Sequence, residues 1–472
     1  MTTTIDRATQ TATSRLAAFA AGLDLDAVPA EVVEAAKTLV LDTIGCTLFA
    51  STLPWSRIVQ EHVAAEGGPA VAGVWGTGAR TSVPLAALAN GTAGHGFEID
   101  DVDHRSGLHV GSVTVPVALG LAEADGGWSG RELLTALLAG FEVGVRVGIS
   151  LEPGHFLRGY HPQGTMGPIA AVTTAARGLH LDEEQTAHAF GLAASMAAGL
   201  MGAQQGGMVK RLHAGRSGES GVVAARLAQR GFTGTDDVFD IDFGGFCSTL
   251  EGKPGAIDRV VEQAGDLGER WVTPDVGYKI HASCAANHST LDVVRRLRTE
   301  HGIDVADVAG VRVETSHHTV VHCGWPYVPG DIVNAQMSLR YGVAAMLTTG
   351  SAFVDQFTPT RVHDAELVEL ASRVDVETDA SIDALGSVHR HVTRVAIELR
   401  DGTVLRGDAK HRIGSLFEPV GREEITEKFR QLTEPLKGVD SEAILEAVVG
   451  LESLDSTQEL SQLLLAPIGG ES

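Results

Sequence analysis

Apolar residues recur at three- and four-residue spacing through most of the first half of the chain. Over residues 28–49, VPAEVVEAAKTLVLDTIGCTLF, they keep one face, and Pro29 stands where a helix start tolerates it. The same period predicts helices over 83–93, 113–123 and 129–150. The last opens with Ser129 and has Glu132 three positions on, the pattern of a capping box. Residues 164–177 and 182–203 continue with a small-residue face suited to close helix contact, and 218–230 is a helix ended by Gly231. After about residue 270 the pattern changes. VAGVRVET (308–315) and VTRVAIEL (392–399) alternate as strands do, and Asp401-Gly402 before 403–406 is a hairpin signal. Helical stretches at 287–298 and 334–349 lie between these strands. This predicts a smaller α+β domain over 275–405, with helices at 422–436 and 439–448 returning to the first domain.

Composition narrows the class. The chain has 472 residues, 44% hydrophobic and 20% charged, which suits two or three domains with their own cores and excludes a disordered or fibrous protein. Glycine, at 56 residues, is enriched, and aromatics are only 5%. The formal net charge of −24 repels phosphate backbones, so no nucleic-acid partner is expected, and any anion site must be a local basic spot. Four scattered cysteines without a CxxC pair fit a reducing cytoplasm. The N-terminus reads as a tail entering a helix near Thr13 rather than a signal peptide. The apolar run 133–149 carries Glu142 and Arg146, so no membrane span is expected.

Four segments concentrate chemistry. NGTAGHGFEIDDVDHRSGLHVGSVTVP (90–116) holds His95, Glu98, Asp100, Asp101, Asp103, His104 and His109, either an acid/base or metal site or a solvated loop. His161 precedes a Gly- and Ala-rich helix, where it can act as base or donor or simply cap a turn. Residues 206–216 place Lys210, Arg211, His213 and Arg216 among glycines, able to wrap a carboxylate or phosphate, although they do not form a P-loop. Tyr278, Lys279, Cys284 and His288 form the fourth, with Lys279 the better anion contact and Cys284 a poor nucleophile candidate. His317, His318, His322 and Cys323 lack a clear metal-ligand spacing.

In this order the segments resemble the MmgE/PrpD family, which includes 2-methylcitrate dehydratase, cis-aconitate decarboxylase and iminodisuccinate epimerase. The resemblance runs through Leu41-Asp42-Thr43-Ile44-Gly45-Cys46, Asn90-Gly91, Glu98-Ile99-Asp100-Asp101, His109, Gly159-Tyr160-His161, Lys210 with Leu212-His213-Ala214-Gly215, Tyr278-Lys279, Cys284, His288 and Ala335 to Tyr341. It implies a mainly α protein. A large all-helical domain, 1–274 plus 406–472, would be closed by the α+β lid of 275–405, in a homodimer with no metal or other cofactor. It nominates Asp101, His109, His161 and Lys210 as catalytic, and Glu98, His213, Tyr278 and Lys279 as substrate-binding. Glu98 replaces the usual Asp, Val110 a common Pro, Asn334 a common Glu, and Ala285 an Arg that commonly follows the Cys. Loss of that guanidinium argues for a substrate other than the commonest one.

The resemblance implies a cofactor-independent lyase or isomerase that moves a proton next to a carboxylate of a small polycarboxylic acid. His161 or His109 would move the proton, Lys210 and Lys279 would hold negative charge, and Asp101 would orient an imidazole. Dehydration of the 2-methylcitrate type stands first, with decarboxylation or epimerisation as alternatives. An inactive binding protein and a metal-dependent hydrolase using Asp100, Asp101 and His109 are the rival classes.

Overall fold

The computed structural model describes residues 11–205 and 207–469. Residues 1–10, where a tail is expected, lie outside the described residues. The first helix, Ala12–Gly22, is capped by Thr11, whose side chain accepts from Ser14 N.

The helices of the first half appear close to where the period places them: Ala30–Ser51, Val83–Gly94, Val110–Ala124 and Gly130–Leu151. Ser129 and Glu132 form the expected capping box on the last of these. That helix is long and apolar enough to cross a membrane, yet it is enclosed by the rest of the chain. Glu142 accepts from Val272 N at 2.9 Å and from Thr273 N at 2.8 Å, and Arg146 reaches the Gln263 carbonyl at 2.6 Å. Both charges are thus consumed inside the domain. The C-terminal helix Arg422–Thr433 packs on Ala30–Ser51, and Gln458–Leu465 packs on Val110–Ala124. Both ends of the chain therefore build one helical domain around a shared apolar core.

Two short strands, β1 (Ala72–Gly73) and β2 (Arg80–Thr81), pair beside the helices, and the α+β domain carries β3 (Val308–Thr315), β4 (Val374–Thr378), β5 (Thr393–Leu399) and β6 (Val404–Ala409) in the order β4-β3-β5-β6. β3 pairs in parallel with β4 and antiparallel with β5, which pairs antiparallel with β6. Val311, Val313, Val374, Val395 and Ile397 point into a second core with the helices Ala285–His301 and Leu339–Thr349. The β5–β6 hairpin turns at Asp401-Gly402, where Gly402 takes a left-handed φ of 88° and Leu399 N donates to Thr403 O at 2.8 Å. β6 runs to Ala409, four residues past the expected limit at 405. Pairing with β5, which the alternation over 403–406 reports only in part, sets that limit.

Other departures have local causes. The helix expected over 164–177 is broken at Met166 into Pro162–Thr165 and Gly167–Gly178, with Pro168 in the first turn of the second piece. The helix expected over 182–203 stops at Ser195. Residues 198–199 then run beside the His161 turn, with Ala198 N on Gly164 O and His161 N on Gly199 O. The helix expected from 218 starts at Val209 and absorbs the basic segment.

The two domains are joined by adjoining stretches of chain. Tyr278 N donates to Gly414 O at 2.8 Å, and Val102 N to Gly277 O at 2.8 Å, so the 95–109 loop lies against this neck. The Val209–Gln229 helix approaches Val83–Gly94 so closely that a Cβ on Gly215 would stand 2.1 Å from Leu88 O. Gly215→Ala is expected to destabilise the fold by about 1–3 kcal/mol through this overpacking. A lowered urea midpoint at unchanged m-value is the readout, and a wild-type midpoint would refute the close approach.

Candidate active site

The loop between Val83–Gly94 and Val110–Ala124 enters the space between the domains. Gln336 Nε2 donates to Phe97 O at 2.7 Å, and His104 Nε2 lies 3.0 Å from Val388 O, so both contacts come from the α+β side. Here a cavity of about 290 Å³ opens. Glu98, His109, His161, Lys210 and Lys279 line it, together with Cys284.

Glu98 is the hub. It is buried, adopts a left-handed φ of 55°, and faces two ammoniums. Lys210 makes an ion pair with one oxygen, and Lys279 Nζ lies 3.2 Å from the other. Burial works to raise the Glu98 pKa, but Lys210 and Lys279 outweigh it and hold the carboxyl well below its ordinary value. Burial likewise works against the Lys279 ammonium, and Glu98 with Asp100 overcomes it, raising its pKa.

Asp100 is the imidazole partner. His95 Nδ1 lies 2.8 Å and His109 Nδ1 3.2 Å from the same Asp100 oxygen. Burial opposes ionisation of Asp100, yet the two histidines hold its pKa well down. A carboxylate only accepts, so His95 carries its proton on Nδ1 and turns the Nε2 lone pair to Lys210 Nζ, 3.3 Å away. Burial pulls His95 down to about 3 and also lowers His109. Both imidazoles are therefore neutral near pH 7. His161 is lowered as well, by burial and then by Lys210. Its Nδ1 pairs with His213 Nδ1 at 2.8 Å, leaving Nε2 without a hydrogen bond among the described residues.

The structure brings Glu98, His109, His161, Lys210 and Lys279 to one cavity and leaves the other expected residues beside it. Asp101, expected to orient an imidazole, does not do so. Its carboxyl accepts from Gly111 N at 3.1 and 3.3 Å in the first turn of Val110–Ala124. It thus fastens the helix that begins after His109, and burial with Asp100 and Asp42 nearby raises its pKa. Tyr278 turns its ring into the helical core, and its backbone rather than its hydroxyl serves the neck. His213 is half-buried and reaches the cavity only through His161. The basic segment is a helix, not a loop, so its cations diverge at about 100° per residue. Lys210 faces Glu98, Arg211 lies over the Trp55 ring at 3.9 Å, and Arg216 pairs with Glu219.

His104 belongs to the first candidate segment, and His318 and His322 to the tract without a clear metal-ligand spacing, whereas sequence reasoning missed Arg390, His391 and Arg412; all six line the cavity. The three missed residues lie in no recognisable motif: Arg390 and His391 come after β4 and Arg412 after β6. Cys284 caps Ala285–His301 and does not meet His288. Its sulfur instead lies 3.9 Å from both ring nitrogens of His322 and close to Cys323, and Ala285 adds only a methyl to the wall. The Cys323 hydrogen bond, helped by His322, lowers the Cys284 thiol against burial.

Among the described residues, two groups have the composition of a metal site. In His95, Asp100 and His109, both Nδ1 atoms already face the carboxylate, with the ammoniums of Lys210 and Lys279 3.3 and 4.0 Å from the cluster. A divalent cation there would meet two positive charges. In Cys284, His322 and Cys323, the sulfur is equidistant from both ring nitrogens, so neither lone pair is aimed to share a metal with it.

Residues 14–257 match the MmgE/PrpD N-terminal domain, and residues 281–452 match the MmgE/PrpD C-terminal domain. The chain belongs to the MmgE/PrpD family. This MmgE/PrpD chain is 30% identical over 460 residues to the cis-aconitate decarboxylase-like protein oryM of Aspergillus oryzae, covering 94% of each. It is 28% identical to the cis-aconitate decarboxylase of Aspergillus terreus, over 97% of this chain and 96% of that one. It is 26% identical to the human cis-aconitate decarboxylase, over 94% and 93%. The mainly α architecture with a smaller α+β domain is that of the family as the sequence implied it.

Two outcomes follow from the site's charges. His95 and His104 have folded pKa values of about 3 because burial disfavours their charged forms. The unfolded chain therefore takes up protons first. Their stabilisation is complete above about pH 6.5 and is lost as pH falls, at about 1.4 kcal/mol per pH unit for each. Urea unfolding between pH 7 and pH 4 should show this decline, and a flat profile would contradict it. Glu98 has a depressed pKa, so its contribution is present above about 4.5 and is lost at lower pH. The stability difference between wild type and Glu98→Gln should therefore shrink as pH drops below that value. A constant difference down to pH 3 would show that Glu98 is not ionised between the lysines.

Proposed function

We propose that this protein is a cytoplasmic, cofactor-independent lyase acting on a small polycarboxylic acid, with decarboxylation of the cis-aconitate type as its reaction. The observation that carries this is the pair of buried ammoniums, Lys210 and Lys279, meeting at the Glu98 wall of a cavity that also holds the neutral imidazoles of His109 and His161. Dehydration, the first reading from the sequence, uses the same proton chemistry. Similarity to cis-aconitate decarboxylases along nearly the whole chain favours loss of CO2.

The chemistry follows from the charges. When the bond to the departing carboxyl breaks, its electron pair stays on carbon and spreads toward a neighbouring carboxylate. Ammoniums held in place stabilise that charge without reorganising. A proton must then reach carbon. A bound polyanion raises the pKa of nearby imidazoles, so His109 or His161 can take up a proton on binding and deliver it. Asp100 steadies the His109 ring, and Asp101 steadies the helix behind it. The homodimer implied by the resemblance belongs to this reading. Met196, Leu200 and Val209, all exposed, line one groove on the outer side of the His213 helix.

The direct test is incubation with cis-aconitate in D2O, followed by CO2 measurement and NMR. Release of CO2 with deuterium at the new C–H bond is expected. Addition of water without CO2 would replace this reading with a dehydratase, and deuterium entry with neither would show proton exchange without a lyase step and overturn it. His161→Gln and Lys210→Ala should each lower kcat by roughly 10²–10⁴, and near-wild-type turnover in both would sink the assignment. Dialysis against a chelator should leave turnover unchanged, because lysines occupy the positions beside the carboxylate cluster.

A further inference from the structure

Arg412 follows β6 on the returning arm of the neck and is 1% exposed. Its Nη1 donates to Tyr278 O at 2.7 Å and to Gly414 O at 3.0 Å, which fixes the plane of the guanidinium. Its Nε and Nη2 are buried with no hydrogen-bond partner, although the residue lines the cavity. Other buried cations are provided for. Lys37, Arg146, Lys210, Lys279 and Lys428 each have a carboxylate, and Arg211 has the Trp55 ring. Arg412 has no ion pair among the described residues. Asp292, the strongest acidic influence on it, is engaged by Ile413 N at 3.0 Å and His281 Nε2 at 3.0 Å.

An unpaired buried charge is costly, and a guanidinium remains charged at neutral pH even where burial lowers it to about 10. The two unpartnered nitrogens are also the two donors of one edge, Nε–H and Nη2–H, whose parallel bonds match the two oxygens of a carboxylate. We propose that Arg412 binds a second carboxylate of the substrate through this edge, apart from the carboxylate held by Lys210 and Lys279. Lys279 and Arg412 both line the cavity with Cys284, which acts on each of them, while Glu98 engages Lys279 and not Arg412, so the two cationic centres share this wall but are not bound to one carboxylate. The ligand is then an acid with at least two carboxylates, one for each centre. This assignment rests on the polycarboxylate reading above and adds the residue that selects for the second acid group.

The test is calorimetric binding of tricarballylate, glutarate and butyrate, which carry three, two and one carboxylates, to the full-length protein. Arg412→Gln should weaken tricarballylate and glutarate by on the order of tenfold to a hundredfold, the range for losing charged hydrogen bonds, and leave butyrate unchanged. Arg412→Lys keeps the charge without the fork and should recover only part of the loss. It also serves as the test variant if the glutamine form does not fold, with the same contrast between the diacid and butyrate. If the variants bind all three acids as wild type does, or weaken all three equally, the arginine assignment is overturned while the polycarboxylate reading stands. If wild type binds none of the three acids, both fall together.

Discussion

Two buried ammoniums share one carboxylate at Glu98. Burying a lone charge is costly, and removing one member of a buried pair leaves the other uncompensated. The three residues come from separate parts of the chain: the loop after Val83–Gly94, the start of Val209–Gln229, and the arm leading into the α+β domain. Their pairing requires all three segments to meet, which fixes the floor of the cavity relative to both domains. Glu98 meets this requirement in a backbone conformation that L-residues seldom adopt, so the surroundings must hold it there.

Close helix packing makes that convergence possible. The Val209–Gln229 helix lies against Val83–Gly94 with glycines at the contact, and Lys210 in its first turn is thereby carried to within 3.3 Å of His95. The high glycine content thus has a positional consequence: backbones approach where side chains would keep them apart. Asp101 contributes at one remove. By accepting from Gly111 it anchors the helix whose preceding residue is His109, while its neighbour Asp100 meets the imidazoles directly. Adjacent acids on an irregular loop thus point to different tasks.

Much of this was legible because local rules and tertiary demands agree. The capping box at Ser129, the alternation of β3 and the Asp401-Gly402 turn are written in contiguous residues, and the structure uses each as expected. What was not legible depends on partners distant in sequence. β4, VDVET, has too few apolar residues to announce itself and exists through its parallel pairing with β3. Asp100 and Asp101 are indistinguishable until one is seen to face imidazoles and the other a helix terminus. The basic segment reads as a cluster along the chain, but a helix turns Lys210, Arg211 and Arg216 in different directions. Arg412 is invisible to motif reasoning because its significance lies in the hydrogen bonds it does not make.

The α+β domain leaves and re-enters the helical one through arms that lie side by side, with Tyr278 bonded to Gly414. Topologically it is a single insertion, so a related domain could be exchanged as one contiguous stretch of coding sequence without rethreading the helices. The two junctions of such a graft fall beside Lys279 and Arg412. A recombination there would therefore alter the cationic lining of the cavity along with the architecture, while His109 and His161 stay on the helical side.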